Sequence, residues 1–235
     1  MCCASSRVRA VPHEATGGAL AVFDLDGTIT RRDTLVPFVL CCLWRRPWRL
    51  PRLLLIIPLG VGYLFHRDRG RFKGALIRAT LGGLKRAQLE HYAGVFVPKV
   101  LQHGVYAEAL RAIAMHRLRG DSLLLMSASV DLYVPQIGQA LGFERTICSK
   151  VRWRSDGRLD GRLSTANCQG EEKRRCLQAL ATREQPRRII AYGNSSSDLP
   201  HLRLAQQGYL VNGPARLLGS TPSIEALRWS QRGSV

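Results

Sequence analysis

A short apolar run, Ala19 to Phe23, leads directly into Asp24-Leu25-Asp26-Gly27-Thr28. Consecutive nonpolar residues ending in a turn signal read as a strand buried on both faces, the type found inside parallel sheets. Alternate residues of an extended chain point the same way, so Asp24 and Asp26 are expected to face one pocket. Gly27 then permits a sharp exit from the strand. A capped strand end would use the same residue types, because Asp and Gly are common in turns.

Further strand signals occur at Leu123 to Met126, Arg188 to Tyr192 and Tyr209 to Val211. Helical patterns separate them at Leu132 to Leu141, Gly170 to about Thr182 and Leu199 to Leu204. Ile147 to Trp153 and Leu159 to Leu163 read as a hairpin around Asp156-Gly157. Strands alternating with helices predict an α/β fold, a Rossmann-like parallel sheet flanked by helices. The interval between the first strand and Leu123 is too long for one crossover helix, so a second, mostly helical unit is inserted there. The expected division is a disordered tail over 1–18, a core over 19–34 and 105–212, a helical cap over 35–104, and a weakly structured segment over 213–235.

The cap is unusual in composition. Two apolar runs, Leu35 to Trp44 and Leu53 to Phe65, are separated by Arg45, Arg46, Arg49 and Arg52 and followed by Arg67, Arg69, Arg71 and Lys73. Each run is shorter than the roughly 20 residues of a membrane span. Basic flanks with Trp44, Trp48 and Tyr63 near the ends suit a hairpin lying on an anionic membrane surface; a cap buried on its neighbours is the plainer alternative. The whole chain carries 35 Lys and Arg against 17 Asp and Glu, which suits nucleic acid, anionic lipid or anionic substrates. No aromatic and basic recognition pattern accompanies the charge, so nucleic acid is not an expected partner. The seven cysteines form no Cys-x-x-Cys pair, and Met1 to Gly18 holds no apolar signal-peptide core. A reducing, cytoplasmic setting with free thiols is expected, peripheral on the inner membrane if the cap binds lipid.

Chemistry gathers at the strand ends. Two carboxylates as close as Asp24 and Asp26 repel, and Mg²⁺ removes the conflict by taking one or two carboxylates, water and a phosphate oxygen. A carboxylate so placed can also attack phosphorus. Leu123 to Met126 ends in Ser127-Ala128-Ser129, whose hydroxyls and N–H groups could hold a phosphoryl oxygen. Ile189 to Tyr192 ends in Gly193-Asn194-Ser195-Ser196-Ser197-Asp198, where Asn194 and Asp198 offer two more oxygen ligands. Lys173 falls in the first turn of a helix, where a cation opposes the macrodipole unless an anion lies close by. Each of the last three pieces alone could be an ordinary cap, turn or solvated lysine.

Taken in order, strand-Asp-x-Asp-Gly-Thr, strand-Ser, helix-Lys and strand-Gly-Asn-x-x-x-Asp resemble the haloacid dehalogenase-like superfamily of Mg²⁺-dependent phosphohydrolases. The resemblance spans about Leu20 to Asn212. Ser127-Ala128-Ser129 with Tyr133 and Pro135, then Leu141-Gly142-Phe143, then Asn167-Cys168-Gln169-Gly170-Glu171-Glu172-Lys173 resemble its phosphoserine-phosphatase-like subclass IB. The resemblance implies Asp24 as nucleophile and Asp26 as general acid and base. It further implies Ser127 on the phosphoryl group, Lys173 offsetting its charge, and Gly27, Thr28, Ala128 and Ser129 around the substrate. Mg²⁺ would be held by Asp24, Asp26, Asn194 and Asp198. Two departures stand out: Gly193-Asn194 replaces the usual Gly-Asp, and Lys173 lies about one turn beyond Gln169, where phosphoserine phosphatases proper place their lysine.

The apolar, Arg-flanked cap resembles that of phosphatidylglycerophosphatase C, which implies a lipid-linked phosphate as substrate. A small phosphomonoester such as phosphoserine is the alternative within the enzyme class. A binding module that kept the fold without the chemistry is the alternative outside it.

Overall fold

The computed structural model describes residues 18–55, 69–218 and 223–230. The run Leu53 to Phe65 and the tail before Gly18 therefore lie largely outside the described residues. The described chain holds eight strands. Six of them, β1 (Leu20–Asp24), β2 (Ser122–Val130), β3 (Arg145–Ser149), β6 (Ile189–Gly193), β7 (Gln207–Val211) and β8 (Ile224–Leu227), form one sheet in the order β3-β2-β1-β6-β7-β8. Every pairing in it is parallel. This is the sheet flanked by helices that the alternating pattern predicts.

The register explains where a site can form. Phe23 pairs with Leu125 on one side and Tyr192 on the other, so β1, β2 and β6 end at a similar level. Strand order runs outward from β1 to β3, then resumes on the opposite side at β6. Ligands of open α/β sheets bind beyond the carboxyl ends at such a reversal.

The period of two divides β1 between two cores. Ala21, Phe23 and Leu25 enter one, with Leu123 and Leu125 of β2. Leu20 and Val22 enter the other, with Leu124 and Met126. Leu177 and Leu180 of α6 (Glu171–Glu184) and Leu202 of α7 (Leu199–Leu202) cover the second core. The first is covered by α1 (Leu35–Trp44), α2 (Arg69–Leu81), α3 (Arg86–His103), α4 (Ala107–Leu118) and α5 (Val134–Ala140). The inserted helices thus share one apolar core with the sheet: Phe38 of α1 and Phe96 of α3 both pack on Tyr133 beside α5.

Helix α1 buries Leu35, Phe38, Val39, Cys42 and Leu43, the spacing of one helical face. Its other face leaves Val36, Leu40 and Trp44 exposed, and Trp48, Leu50 and Leu54 are exposed in the following 3-10 turns, Pro47–Leu55. Three of the arginines between the two apolar runs are tied back to the cap. Arg45 donates to the Cys41 carbonyl, Arg46 to the Tyr92 hydroxyl, and Arg49 to the carbonyls of Thr80 and Gly82.

Two sequence expectations are corrected. Ile147 to Trp153 is not one hairpin strand. Arg145–Ser149 joins the main sheet, the ladder breaks at Lys150, and only β4 (Val151–Trp153) pairs with β5 (Leu159–Leu163). Asp131 enforces the break, donating its N–H to the Ser149 carbonyl and accepting the Val151 N–H on Oδ1. The segment after 213 is not uniformly weak either, since Ile224–Leu227 adds the edge strand β8. Asn212 pins the residues beyond β8: its side chain accepts the Trp229 N–H and donates to the Trp229 carbonyl. Trp229 is buried beside Tyr106 and Tyr192.

Phe23 lies at the centre of the first core, stacked on Tyr192 at 4.3 Å and edge-on to Phe143 and His116. Phe23→Ala should lower the unfolding free energy by roughly 3–5 kcal/mol in a denaturant titration. A loss below about 1 kcal/mol would show that β1 does not organise this core.

Candidate active site

Asp24 is the last residue of β1 and is buried. Its two carboxylate oxygens have separate partners. Oδ2 accepts the Thr28 hydroxyl at 2.9 Å, and Oδ1 accepts the Lys173 ammonium at 2.5 Å. Thr28 returns to Asp24 because the chain turns tightly after the strand, with the N–H groups of Thr28, Ile29 and Thr30 all directed at the Leu25 carbonyl. Gly27 makes the turn at φ +83°, and a β-carbon there would fall 1.9 Å from Nδ2 of Asn194. The left-handed backbone conformation and the nearby Asn194 side chain favour glycine at that position.

Lys173 reaches the site from the first turn of α6. It is 2% exposed and lies 2.8 Å from Asp198 Oδ1 as well as against Asp24. Its position one turn after Gln169 therefore still delivers the ammonium to Asp24. Burial alone would lower its pKa, but the Asp198 and Asp24 carboxylates outweigh burial and hold it above the ordinary lysine value. Asp198 is driven the other way. Burial would raise its pKa, and Lys173 pulls it well below the carboxylate range. Asp24 is pushed up to about 7, first by burial and then by the charge of Asp198, which Lys173 only partly offsets.

Asp26 is half-buried across the pocket mouth. Oδ1 accepts the Thr34 N–H at 2.8 Å and the Thr34 hydroxyl at 2.7 Å, and Oδ2 accepts the Ser129 hydroxyl at 2.6 Å. Tyr133 backs Thr34 through a 2.9 Å hydroxyl contact. Burial raises the Asp26 pKa, and the nearby Asp33 charge adds to this. Ser127 is fully buried, 3.4 Å from Asp26 Oδ2, and accepts the Ser129 N–H at 2.9 Å.

The cavity above these groups has a volume of about 440 Å³. Its wall includes Asp24, Asp26, Ala128, Ser129, Lys173, Asn194 and Asp198, which gathers most of the residues singled out in the sequence. Ala128 and Ser129 reach it because the β2–β3 ladder shifts register between Ser127 and Val130. Gly27, Thr28 and Ser127 stand behind the wall. Thr28 donates its hydroxyl to Asp24, and Ser127 accepts the Ser129 N–H. Asp198 is tied into its own loop and to Lys173. Its Oδ2 accepts the N–H groups of Asn194 and Ser195 and the Ser195 hydroxyl, and its Oδ1 takes Lys173, so its lone pairs hold the loop and the lysine.

One wall residue carries no site signal in the sequence. Lys73 of α2 donates to the Ala128 carbonyl and, at 2.8 Å, to Asn167 Oδ1. By sequence it belongs to the basic flank of the apolar runs, whereas the fold turns it inward. Burial lowers its pKa to about 8, against the pull of Asp26 and Asp33. No spacing rule links a cap lysine to a strand-end aspartate; only the packing of α2 over the sheet does so.

Four carboxylates, Asp24, Asp26, Asp33 and Asp198, face two ammonium groups across this cavity. Among the described residues no group of three or more His, Cys, Asp or Glu is arranged to hold a metal. A cation there would use oxygen only: the Asp24 and Asp26 side of the pocket, the Asn194 amide, water and a phosphate oxygen. That donor set and the excess of negative charge fit a hard ion such as Mg²⁺.

Residues 21–203 match the haloacid dehalogenase-like hydrolase family. Protein CicA of Caulobacter vibrioides is 32% identical over 202 residues, covering 82% of this chain and 86% of its own. A probable phosphatase of Mycobacterium tuberculosis is 27% identical over 234 residues, covering 92% and 78%. Among solved structures, a protein of unknown function from Bordetella pertussis superposes with a TM-score of 0.74 at 20% identity, covering 90% of this chain and 99% of its own. An apo phosphoserine phosphatase superposes with a TM-score of 0.61 at 16% identity, covering 89% and 93%. With its parallel sheet, its strand-end carboxylates and this match over most of its length, the chain belongs to the haloacid dehalogenase-like hydrolase family.

Proposed function

We propose that the protein is a Mg²⁺-dependent phosphomonoester phosphatase of the subclass IB type, working through an aspartyl-phosphate on Asp24. The observation that carries this reading is the pairing of a buried, oriented Asp24 with a separately held Asp26 on one cavity. Thr28 and Lys173 fix one carboxylate; Thr34 and Ser129 fix the other. Groups held this way lose little orientation on reaching the transition state.

Asp24 attacks phosphorus as the bond to the leaving oxygen breaks, and Asp26 supplies the proton that oxygen needs. Burial raises the Asp26 pKa, which favours the protonated form that a general acid needs. Asp26, now a carboxylate, takes a proton from water, whose oxygen attacks phosphorus and breaks the bond to Asp24. Phosphate leaves, and both aspartates return to their starting states. Lys173 and the Ala128 and Ser129 segment stabilise charge on the phosphoryl oxygens. When bound by Asp24, Asp26 and Asn194, Mg²⁺ supplies further positive charge to that group.

The proposed substrate is a lipid-linked phosphate such as phosphatidylglycerophosphate. Support comes from the exposed Val36, Leu40, Trp44, Trp48 and Leu54 of the cap, with the arginines interleaved among them. The name of the mycobacterial relative supports the chemistry but not the lipid. A second reading, a small phosphomonoester, is favoured by the tethering of Arg45, Arg46 and Arg49 to the cap itself. No helix among the described residues is long and apolar enough to cross a membrane.

Asp24→Asn should fold and bind phosphate yet show no turnover of an aryl phosphate, and chelation of Mg²⁺ should abolish wild-type turnover. Near wild-type rates in either case would refute the mechanism. Flotation with phosphatidylglycerol vesicles tests the lipid reading: Trp44→Ser with Trp48→Ser should cut bound protein several-fold, and wild-type protein that never floats would favour the small substrate.

The raised pKa of Asp24 has a stability consequence with a definite sign. The folded state binds that proton more tightly than the unfolded chain. The resulting stabilisation is complete below about pH 4 and is lost as pH rises through about 7. In chelator, wild type should therefore lose stability relative to Asp24→Asn between about pH 4 and 7. A difference that stays flat across this window in urea titrations would contradict the assignment.

A further inference from the structure

A second cavity, of about 500 Å³, opens beside the catalytic one between α2 and β5. Its walls hold three cations, Arg71, Arg78 and Arg162, and its described lining includes no acidic residue. The sequence explains its shape. Arg71, Gly74, Ala75 and Arg78 follow the i, i+3, i+4, i+7 spacing of one helical face. Small residues at the centre leave room between a guanidinium at each end.

The hairpin closes the other side. Gly161 of β5 has φ +92°, and a β-carbon there would fall 2.4 Å from the Arg78 α-carbon. Only glycine lets β5 cross α2 this closely, and the crossing brings Arg162 beside Arg78. The nearest acidic residue on the strand, Asp160, is already paired with Arg152. Among the described residues Arg78 and Arg162 have no ion-pair partner. Asp160 feels the charge of both Arg78 and Arg162 but is bonded to Arg152, so the cavity they line keeps a positive potential that an anion would relieve.

The two cavities meet at one contact. Asn167 lines the arginine cavity, Lys73 lines the catalytic one, and Lys73 Nζ donates to Asn167 Oδ1 at 2.8 Å. We propose that the arginine cavity is a second anion subsite, which holds a phosphodiester or second phosphate of the substrate while its phosphomonoester sits on Asp24. This rests on the phosphatase reading and narrows its substrate to molecules bearing two anionic groups. A guanidinium pair suits a phosphate with several acceptor oxygens, through charge-assisted and bidentate hydrogen bonds.

The test compares glycerophosphoglycerophosphate, which carries a phosphomonoester and a phosphodiester without acyl chains, with glycerol 3-phosphate, which carries the monoester alone. For wild type, kcat/KM should favour the first. Arg78→Gln with Arg162→Gln should lower that preference at least tenfold, mainly through KM, whereas Arg78→Lys with Arg162→Lys, which keeps the charge but loses the bidentate fork, should lower it by a smaller factor. A preference within twofold of wild type in the Gln variant would overturn the subsite. Binding separates this from failure of the phosphatase reading. In an Asp24→Asn background, the two Gln substitutions should weaken binding of glycerophosphoglycerophosphate about tenfold by calorimetry, whatever the turnover. Unchanged affinity, with an unfolding midpoint equal to that of the parent, would also overturn the proposal. A tenfold effect seen only with the acylated compound in vesicles would assign the arginines to surface attachment and refute the subsite.

Discussion

Lys173 joins three parts of the molecule at one buried point. Its ammonium comes from the first turn of α6 and meets Asp24 at the end of β1 and Asp198 beyond β6. Moving such a cation out of water costs several kcal/mol, and the cost is met only with both carboxylates in place. Removing either one would leave a buried charge without its counter-ion. The same contact sets the electrostatics of the site. Lys173 holds Asp198 ionised, while burial and the Asp198 charge leave Asp24 with a pKa of about 7 that the shared cation only partly offsets. A carboxylate left short of positive charge favours a further cation beside it.

Around that point, the two faces of the sheet do different work. The face covered by α6 and α7 is a conventional apolar layer whose helix brings Lys173. The other face carries the inserted helices in the same core as β1 and β2, so the cap is anchored by Phe38, Phe96 and Tyr133 as much as by its own contacts. Tyr133 belongs to both layers, being packed on those rings while its hydroxyl supports Thr34, the residue that holds Asp26. Cap packing and the Asp26 carboxylate are therefore coupled through one side chain. The small hairpin adds a second coupling: β5 lies on α2, and α2 carries Lys73 into the pocket.

Much of the site is legible in the sequence because its pieces sit at strand ends. Asp24, Asp26, Ser129, Asn194 and Asp198 follow apolar runs, and a parallel sheet gathers the ends of its strands along one edge. Lys173 is legible through its unfavourable place in a helix first turn, which makes an anionic neighbour the natural explanation. The sequence is less informative about which oxygen does what. Ser127 and Ser129 differ by two residues and look equivalent, yet a register shift against β3 places Ser129 on the wall and Ser127 behind it. Thr28 reads as a pocket residue until the turn folds it back onto Asp24. Lys73 and Thr34 carry no signal, since neither lies next to a strand end in the chain.

The sequence alone determined the layer architecture, the parallel sheet and the edge along which the site would lie. Those follow from local rules, the period of two in buried strands, glycine at tight exits and the length of crossover connections, which neighbouring residues largely satisfy among themselves. Tertiary structure decided the assignments that depend on groups distant in the chain: Lys173 shared between Asp24 and Asp198, Lys73 turned inward, and three arginines gathered by a hairpin lying across a helix. Charge and hydrogen bonding act through space and strengthen with burial, so the partner of each buried polar group is fixed only when packing has chosen its neighbours.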